Sequence, residues 1–93
     1  MKIDVYGKQG CAKCESTKAK LGHYLKKWGV DGAVQLEFVD MDTADGLARG
    51  AMNGVFNVIP VTIVSDGGEG SLARWEGDVP PSMEVAGVLG IGK

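Results

Sequence analysis

The chain lacks most of the features that mark a specialised class of protein. It has two cysteines and one histidine in 93 residues, too few for the four ligands of a structural zinc site. No apolar run approaches the roughly 20 residues needed to span a bilayer, and the N-terminus has no signal-peptide core. A cytoplasmic protein with no membrane partner is therefore expected. Neither sign of charge dominates: ten basic residues face twelve acidic ones, for a net charge of −2. That balance gives no electrostatic footprint for nucleic acid. Only glycine is in excess, at 15 residues, about twice its usual share of roughly 7%. Much of the excess falls between apolar segments, as short elements and tight turns require. A length of 93 residues predicts one domain over 1–93 with a single modest core, monomeric by default.

The apolar pattern predicts alternating strands and helices. Lys2 to Tyr6 reads as a mostly apolar first strand. From Ala12 to Trp28, Cys14, Thr17, Leu21, Tyr24, Leu25 and Trp28 recur at three- and four-residue spacing, one face of a helix. Lys18, Lys20, Lys26 and Lys27 fall largely off that stripe, and Gly29 is a natural stop. Gly22 sits inside the helix with no evident reason. Val34 to Val39 reads as a second strand. Thr43 is placed to cap a short helix reaching about Asn53, with Leu47, Ala48, Ala51 and Met52 inward and Gly54 closing it. Val61 to Val64 is β-branched throughout, a third strand. Asp66-Gly67-Gly68 with Glu69-Gly70 predicts a hairpin turn into Ser71 to Trp75. After Pro80-Pro81, Ser82 is expected to cap a last helix through about Leu89, leaving a frayed tail. The predicted order is βαβαββα.

Both cysteines lie in Cys11-Ala12-Lys13-Cys14, where the first strand gives way to the first helix. Three residues apart on a helix, their Cα atoms stand roughly 5 Å apart, within disulfide reach. Cys11 at the helix start meets unpaired N–H groups and the positive dipole end, which favour a thiolate. Lys8 and Lys13 add positive charge, and Glu15 opposes them. Cys14, one turn on, faces the body of the domain. Such a pair either moves electrons or binds a soft metal ion. In a reducing compartment it is catalytic or metal-binding rather than a staple.

The order of elements, Val5-Tyr6-Gly7-Lys8-Gln9-Gly10-Cys11-Ala12-Lys13-Cys14, Val39-Asp40-Met41-Asp42, Ile59-Pro60 and Trp75-Glu76-Gly77 together resemble the glutaredoxin-like members of the thioredoxin superfamily. The resemblance covers nearly the whole chain. It implies a thioredoxin-like α/β fold, a four-stranded mixed sheet flanked by helices. It also implies a cis Pro60 beside the cysteines, with Ile59 offering its backbone to an extended thiol substrate. The activity it implies is thiol-disulfide exchange, with Cys11 and Cys14 catalytic and no bound cofactor. Disulfide-containing proteins would be the substrates, and glutathione or a flavoprotein such as thioredoxin reductase the electron source. Substrate would meet Lys8, Gly10, Lys13, Val58, Ile59, Pro60, Gly77 and Asp78.

Several positions depart from the glutaredoxin pattern. Ala12-Lys13 replaces the usual Pro-Tyr between the cysteines. Val58 stands where glutathione-binding members carry threonine, and Gly77-Asp78 is at most a remnant of their Gly-Gly-x-Asp-Asp stretch. Lys8 does match the lysine that meets the glutathione carboxylate. Lys8-Gln9-Gly10-Cys11 and Trp75-Glu76-Gly77-Asp78-Val79-Pro80 also resemble the redoxins that draw on thioredoxin reductase and feed ribonucleotide reductase. A true thioredoxin would bury an aspartate where this chain has Val5.

A soft-metal carrier or a cluster shared between two chains is the competing reading, using the same two thiolates. Copper-chaperone modules carry methionine where this chain has Gln9, and their element order differs. The remaining polar and aromatic residues have plainer readings. His23 lies off the apolar stripe and reads as solvated. Trp28 reads as core, and Trp75 as core or docking surface. Asp40, Asp42 and Asp45 read as caps at a strand-to-helix corner. Tyr6 reads as packing or as an aromatic near the thiols.

Overall fold

Side chains alternate along a strand, and in the first one Ile3 and Val5 join one apolar cluster while Tyr6 joins another. That division decides how the sheet is covered. The structure, a computed structural model, describes residues 1–55, 58–66 and 71–90. Its elements are β1 (Lys2–Gly7), α1 (Ala12–Lys27), β2 (Gln35–Asp40), α2 (Ala44–Met52), β3 (Val61–Ser65), β4 (Ser71–Glu76) and α3 (Ser82–Leu89). They form a four-stranded mixed sheet in the order β2-β1-β3-β4. β1 runs parallel to β2 and antiparallel to β3, and β3 pairs antiparallel with β4. This is the βαβαββα thioredoxin-like fold expected from the sequence.

One face of the sheet is dry. Ile3, Val5 and Val64 pack there against Leu21 and Leu25 of α1 and Val85 of α3. Burying each such side chain contributes about 1.5–3 kcal/mol. The predicted α1 stripe is the buried one: Cys14, Thr17, Leu21 and Leu25 are inside, while Tyr24 and Trp28 stack at 5.5 Å at its edge. Gly29, at φ +72°, ends the helix in the left-handed region that favours glycine. Trp75 packs against the same core, and its indole N–H donates to Glu84 at 3.0 Å.

The other face carries Tyr6, Val39, Met41, Val55, Val61 and Ile63. Here α2 departs from expectation. Leu47, Ala48, Ala51 and Met52 do not point inward; Leu47 is 53% and Met52 86% exposed, and the two alanines are exposed as well. The buried positions are Gly46 and Gly50. A Cβ on Gly46 would stand 1.8 Å from the Asp40 carbonyl oxygen, and one on Gly50 2.6 Å from Met41 Cε. The helix backbone itself lies against the end of β2, and no larger residue fits. Thr43 caps α2 as predicted, accepting from the Gly46 N–H at 2.9 Å. Ser82 does not cap α3: it is the first helical residue, Pro81 holds the cap position, and no side chain caps that end. The predicted turn residues Gly67-Gly68-Glu69-Gly70 and the tail Ile91–Lys93 lie outside the described residues. No helix among the described residues is long and apolar enough to cross a membrane.

Candidate functional site

Cys11 caps α1. Its extended backbone (φ −88°, ψ 112°) leaves the sulfur facing the first turn, where it accepts from the Cys14 N–H at 3.3 Å. Gly10 just before it has φ +82°, a conformation that requires glycine. The Cys11 N–H in turn donates to the Lys8 carbonyl at 3.3 Å. A sulfur fed by N–H donors is stabilised as a thiolate. The Cys11 thiol is accordingly pulled below its ordinary range, first by the hydrogen bond from the Cys14 thiol and then by the Cys14 and Lys13 N–H groups, with Glu15 opposing. The expected lysine charges are not what lowers it. The Lys8 ammonium lies 3.7 Å from Asp42, and Lys13 contributes through its backbone.

Cys14 is the opposite case. It is 0% exposed, and burial, reinforced by the hydrogen bond to Cys11, pushes its thiol up to about 11. Both thiols are free. One half-exposed thiol poised to ionise thus stands one helical turn from a buried thiol that holds its proton.

Gly7 makes this pairing possible, and its role was missed in the sequence. As the last residue of β1 it shares the α1 side of the sheet with Ile3 and Val5. A Cβ there would meet Cys14 Cβ and Sγ at 2.7 Å and Phe38 Cε1 at 3.3 Å. Glycine at the end of a strand, four residues before a cysteine, was the available signal, because glycine in a strand marks close approach. The β1–β3 ladder pairs Tyr6 with Val61. Pro60, immediately before Val61, therefore stands at the end of the sheet where β1 leads into the thiol loop.

The Ile59–Pro60 peptide is cis. Pro60 is buried, Ile59 half-buried, and Val58 is 47% exposed. The Pro60 carbonyl accepts from the Gly77 N–H at 2.8 Å, and a Cβ on Gly77 (φ +80°) would stand 3.5 Å from Val58 Cγ1. Val58, Ile59, Pro60 and Gly77 are therefore one unit at this end of the sheet. Asp78 is exposed and its carboxylate accepts from the Val79 N–H at 2.8 Å. Lys8 and Asp78 thus both have partners within the chain.

Tyr6 is not beside the thiols. It lies on the α2 face, where its hydroxyl accepts from Asn53 at 3.0 Å, because its position in β1 alternates with that of Gly7. Val5 is fully buried, and among the described residues the buried polar side chains are Thr17 and Thr62, neither a carboxylate. Asp4 lies on the other side of the sheet, 3.6 Å from Lys2 and 3.7 Å from Arg49. Thr62, paired with Val5, keeps a buried hydroxyl without a hydrogen-bond partner among the described residues. Asp40 acts as a cap: its carboxylate accepts from the Asp42 N–H at 2.9 Å and its carbonyl from the Thr43 hydroxyl at 2.8 Å. Among the described residues, no three His, Cys, Asp or Glu side chains gather as a metal-ligand group.

No protein-family model matches the chain, and no curated protein matches it in sequence. Solved structures do match in shape. Thioredoxin 1 from the thermophilic eubacterium Thermosipho africanus aligns over 97% of this chain and 91% of its own, at 21% identity and a TM-score of 0.71. Thioredoxin-2 of the malaria parasite, a component of its protein secretion machinery, aligns over 96% of this chain and 80% of its own, at 19% identity and a TM-score of 0.71. The glutaredoxin-like NrdH-redoxin from Escherichia coli, described as having a thioredoxin-like activity profile, aligns over 100% of this chain and 97% of its own, at 20% identity and a TM-score of 0.55. With the strand order and the cis Ile59–Pro60 bond, these likenesses establish that this chain has the thioredoxin-like fold.

Proposed function

We propose that the chain is a dithiol–disulfide oxidoreductase that reduces disulfides in other proteins. The observation that carries this reading is the asymmetry of the pair: a helix-capping Cys11 lowered by hydrogen bonds, beside a buried Cys14 at about 11. Cys11 thiolate attacks one sulfur of the substrate disulfide, forming a mixed disulfide and expelling the other sulfur as a thiolate. Cys14 then loses its proton and attacks the Cys11 sulfur. The Cys11–Cys14 disulfide forms, and the second substrate sulfur leaves as a thiolate that takes up a proton. Two electrons have passed to the substrate. Val58, Ile59 and Gly77 give the substrate backbone a surface at the same end of the sheet.

The oxidised pair is returned to the dithiol by a flavoprotein reductase or by glutathione. Three observations favour the reductase: Lys8 is paired with Asp42, Asp78 is occupied at Val79, and position 58 is apolar. The thioredoxin-like profile of the Escherichia coli redoxin is in keeping with that choice.

A redox titration in glutathione buffers, followed by mass, tests the reading. A reversible Cys11–Cys14 disulfide with a midpoint near about −200 to −270 mV is expected, without stable glutathione adducts on Cys11. A pair that never oxidises, in protein that keeps a metal through purification, overturns it. Cys11→Ser should abolish activity, whereas Cys14→Ser should accumulate the mixed disulfide. Equal residual activity in the two variants would remove the assigned roles.

A further inference from the structure

An open groove lies between α1 and Leu36 of β2, the end strand of the sheet. Its volume is about 630 Å³, and Ala19, Gly22 and Leu36 form an apolar floor. Lys18, His23 and Lys26 rim it, with Glu15 at one end. Glu15 and Lys18 also border a smaller recess of about 260 Å³ that reaches Gln9, two residues before Cys11. The groove therefore runs from the middle of α1 towards the thiol loop.

Three independent features converge on it. The first is backbone: among the described residues β2 pairs with β1 alone and ends the sheet, so its outer edge is a template for another strand. Glu37, a charge that could guard this edge, is engaged by Lys2 at 3.0 Å and Arg49 at 2.6 Å.

The second is Gly22. Its backbone is not in the left-handed region, and a Cβ there would meet only Leu36 Cδ2 at an ordinary 3.8 Å. Alanine would fit and would favour the helix by about 1 kcal/mol. Neither packing nor conformation within the chain demands glycine here, and what its missing side chain keeps open is the groove floor.

The third is charge. Lys18 and Lys26 line the groove against one carboxylate, Glu15, and Lys13, Lys20 and Lys27 carry the basic character round the rest of α1. Half of the chain's ten basic residues thus stand on one helix of a protein whose net charge is −2.

We propose that this groove docks an extended, acidic segment of a partner protein. The segment adds to β2 as a further strand, lays an apolar side chain over Gly22 and Ala19, and sets carboxylates beside Lys18 and Lys26. Backbone hydrogen bonds and the apolar anchor supply the affinity. The rim charges select the partner and speed its arrival. A second copy of this chain is the poorer occupant. Two β2 edges paired antiparallel about a two-fold axis through the sheet would bring two lysine-rich α1 helices to the same face, side by side. The site does not rest on the redox reading, and the Cys11→Ser protein should bind equally well.

The test uses the whole chain, labelled for amide NMR, and a short synthetic peptide at millimolar concentration, Glu-Thr-Val-Thr-Glu at its centre, so that glutamate and valine share one face of the strand. Its counterpart with lysine for glutamate is the control. Shifts over residues 18–26 and 35–40, with slowed amide exchange in β2, are expected for the acidic peptide alone. Gly22→Leu should abolish them while leaving Cys11 alkylation unchanged, and Lys18→Glu with Lys26→Glu, both at exposed positions, should weaken binding by about tenfold or more. If Gly22→Leu does not fold, the charge-reversed variant decides. Absence of binding, equal binding of the basic peptide, or shifts at lysines without protection of β2 each overturn the proposal. So does a dimer with protected β2 amides in the absence of peptide.

Discussion

The two faces of the sheet are built by different means. On the α1–α3 face, side chains interlock: Ile3, Val5, Leu21, Leu25, Val64 and Val85 exclude water, and Cys14 is sealed in beside them. On the α2 face, a helix approaches through glycine backbone, its apolar side chains turn outward, and Lys2, Asp4, Glu37 and Arg49 form a charged margin. The buried thiol belongs to the dry face, where desolvation keeps its proton on. The lesson is that this sheet is covered by side-chain packing on one face and by backbone proximity on the other.

Substitutions that add a single methyl group break the comparison most sharply. Gly46→Ala should be the most damaging, because its Cβ would overlap the Asp40 carbonyl at 1.8 Å and backbone cannot swing aside. A loss of about 3 kcal/mol or more is expected in denaturant unfolding. Gly7→Ala, with contacts of 2.7 Å to the movable Cys14 side chain, should cost less, about 1–3 kcal/mol. Unlike Gly46→Ala, it should slow disulfide formation between Cys11 and Cys14 even in the folded protein. Equal stability losses with unchanged thiol chemistry would erase the distinction between the faces.

The two thiols sharpen the comparison with pH. Alkylation of Cys11 should rise with an apparent pKa below that of an ordinary thiol, while Cys14 stays protected until the solution is strongly alkaline. Because the folded-state pKa of Cys14 is raised to about 11, the unfolded chain releases that proton first. Stability of the reduced protein should therefore be fully present below the ordinary thiol range and fall as pH rises through it towards 11. Cys14→Ala should flatten that decline; an unchanged slope would assign it elsewhere.

Smaller effects test the cores themselves. Thr62→Val removes a buried hydroxyl without a hydrogen-bond partner among the described residues and should stabilise the protein by about 1 kcal/mol in a thermal melt. Leu47→Lys, on the exposed side of α2, should change stability by no more than about 0.5 kcal/mol. A large loss there would mean that the α2 face is packed after all.

The order of elements was legible because the signals are local. The α1 stripe at helical spacing, the β-branched run Val61–Val64 and the Thr43 cap each report on neighbours in the chain. The dithiol was legible for the same reason, since both cysteines lie on one turn. The α2 face misled because Leu47, Ala48, Ala51 and Met52 imitate a buried stripe, while the true contact is made by glycines that carry no hydrophobic signal. Ser82 misled because a capping residue type sits one position inside its helix.

Sequence alone therefore determined the strands and helices, the capping position of Cys11 and its one-turn separation from Cys14, all set by contacts within a few residues. Tertiary structure alone decided how deeply Cys14 is buried, that Gly7 makes room for it, that Pro60 stands at the thiol end of the sheet, and that Gly22 lines a groove. Each of those depends on surfaces brought together from distant parts of the chain, where shape and desolvation, rather than residue type, set the outcome.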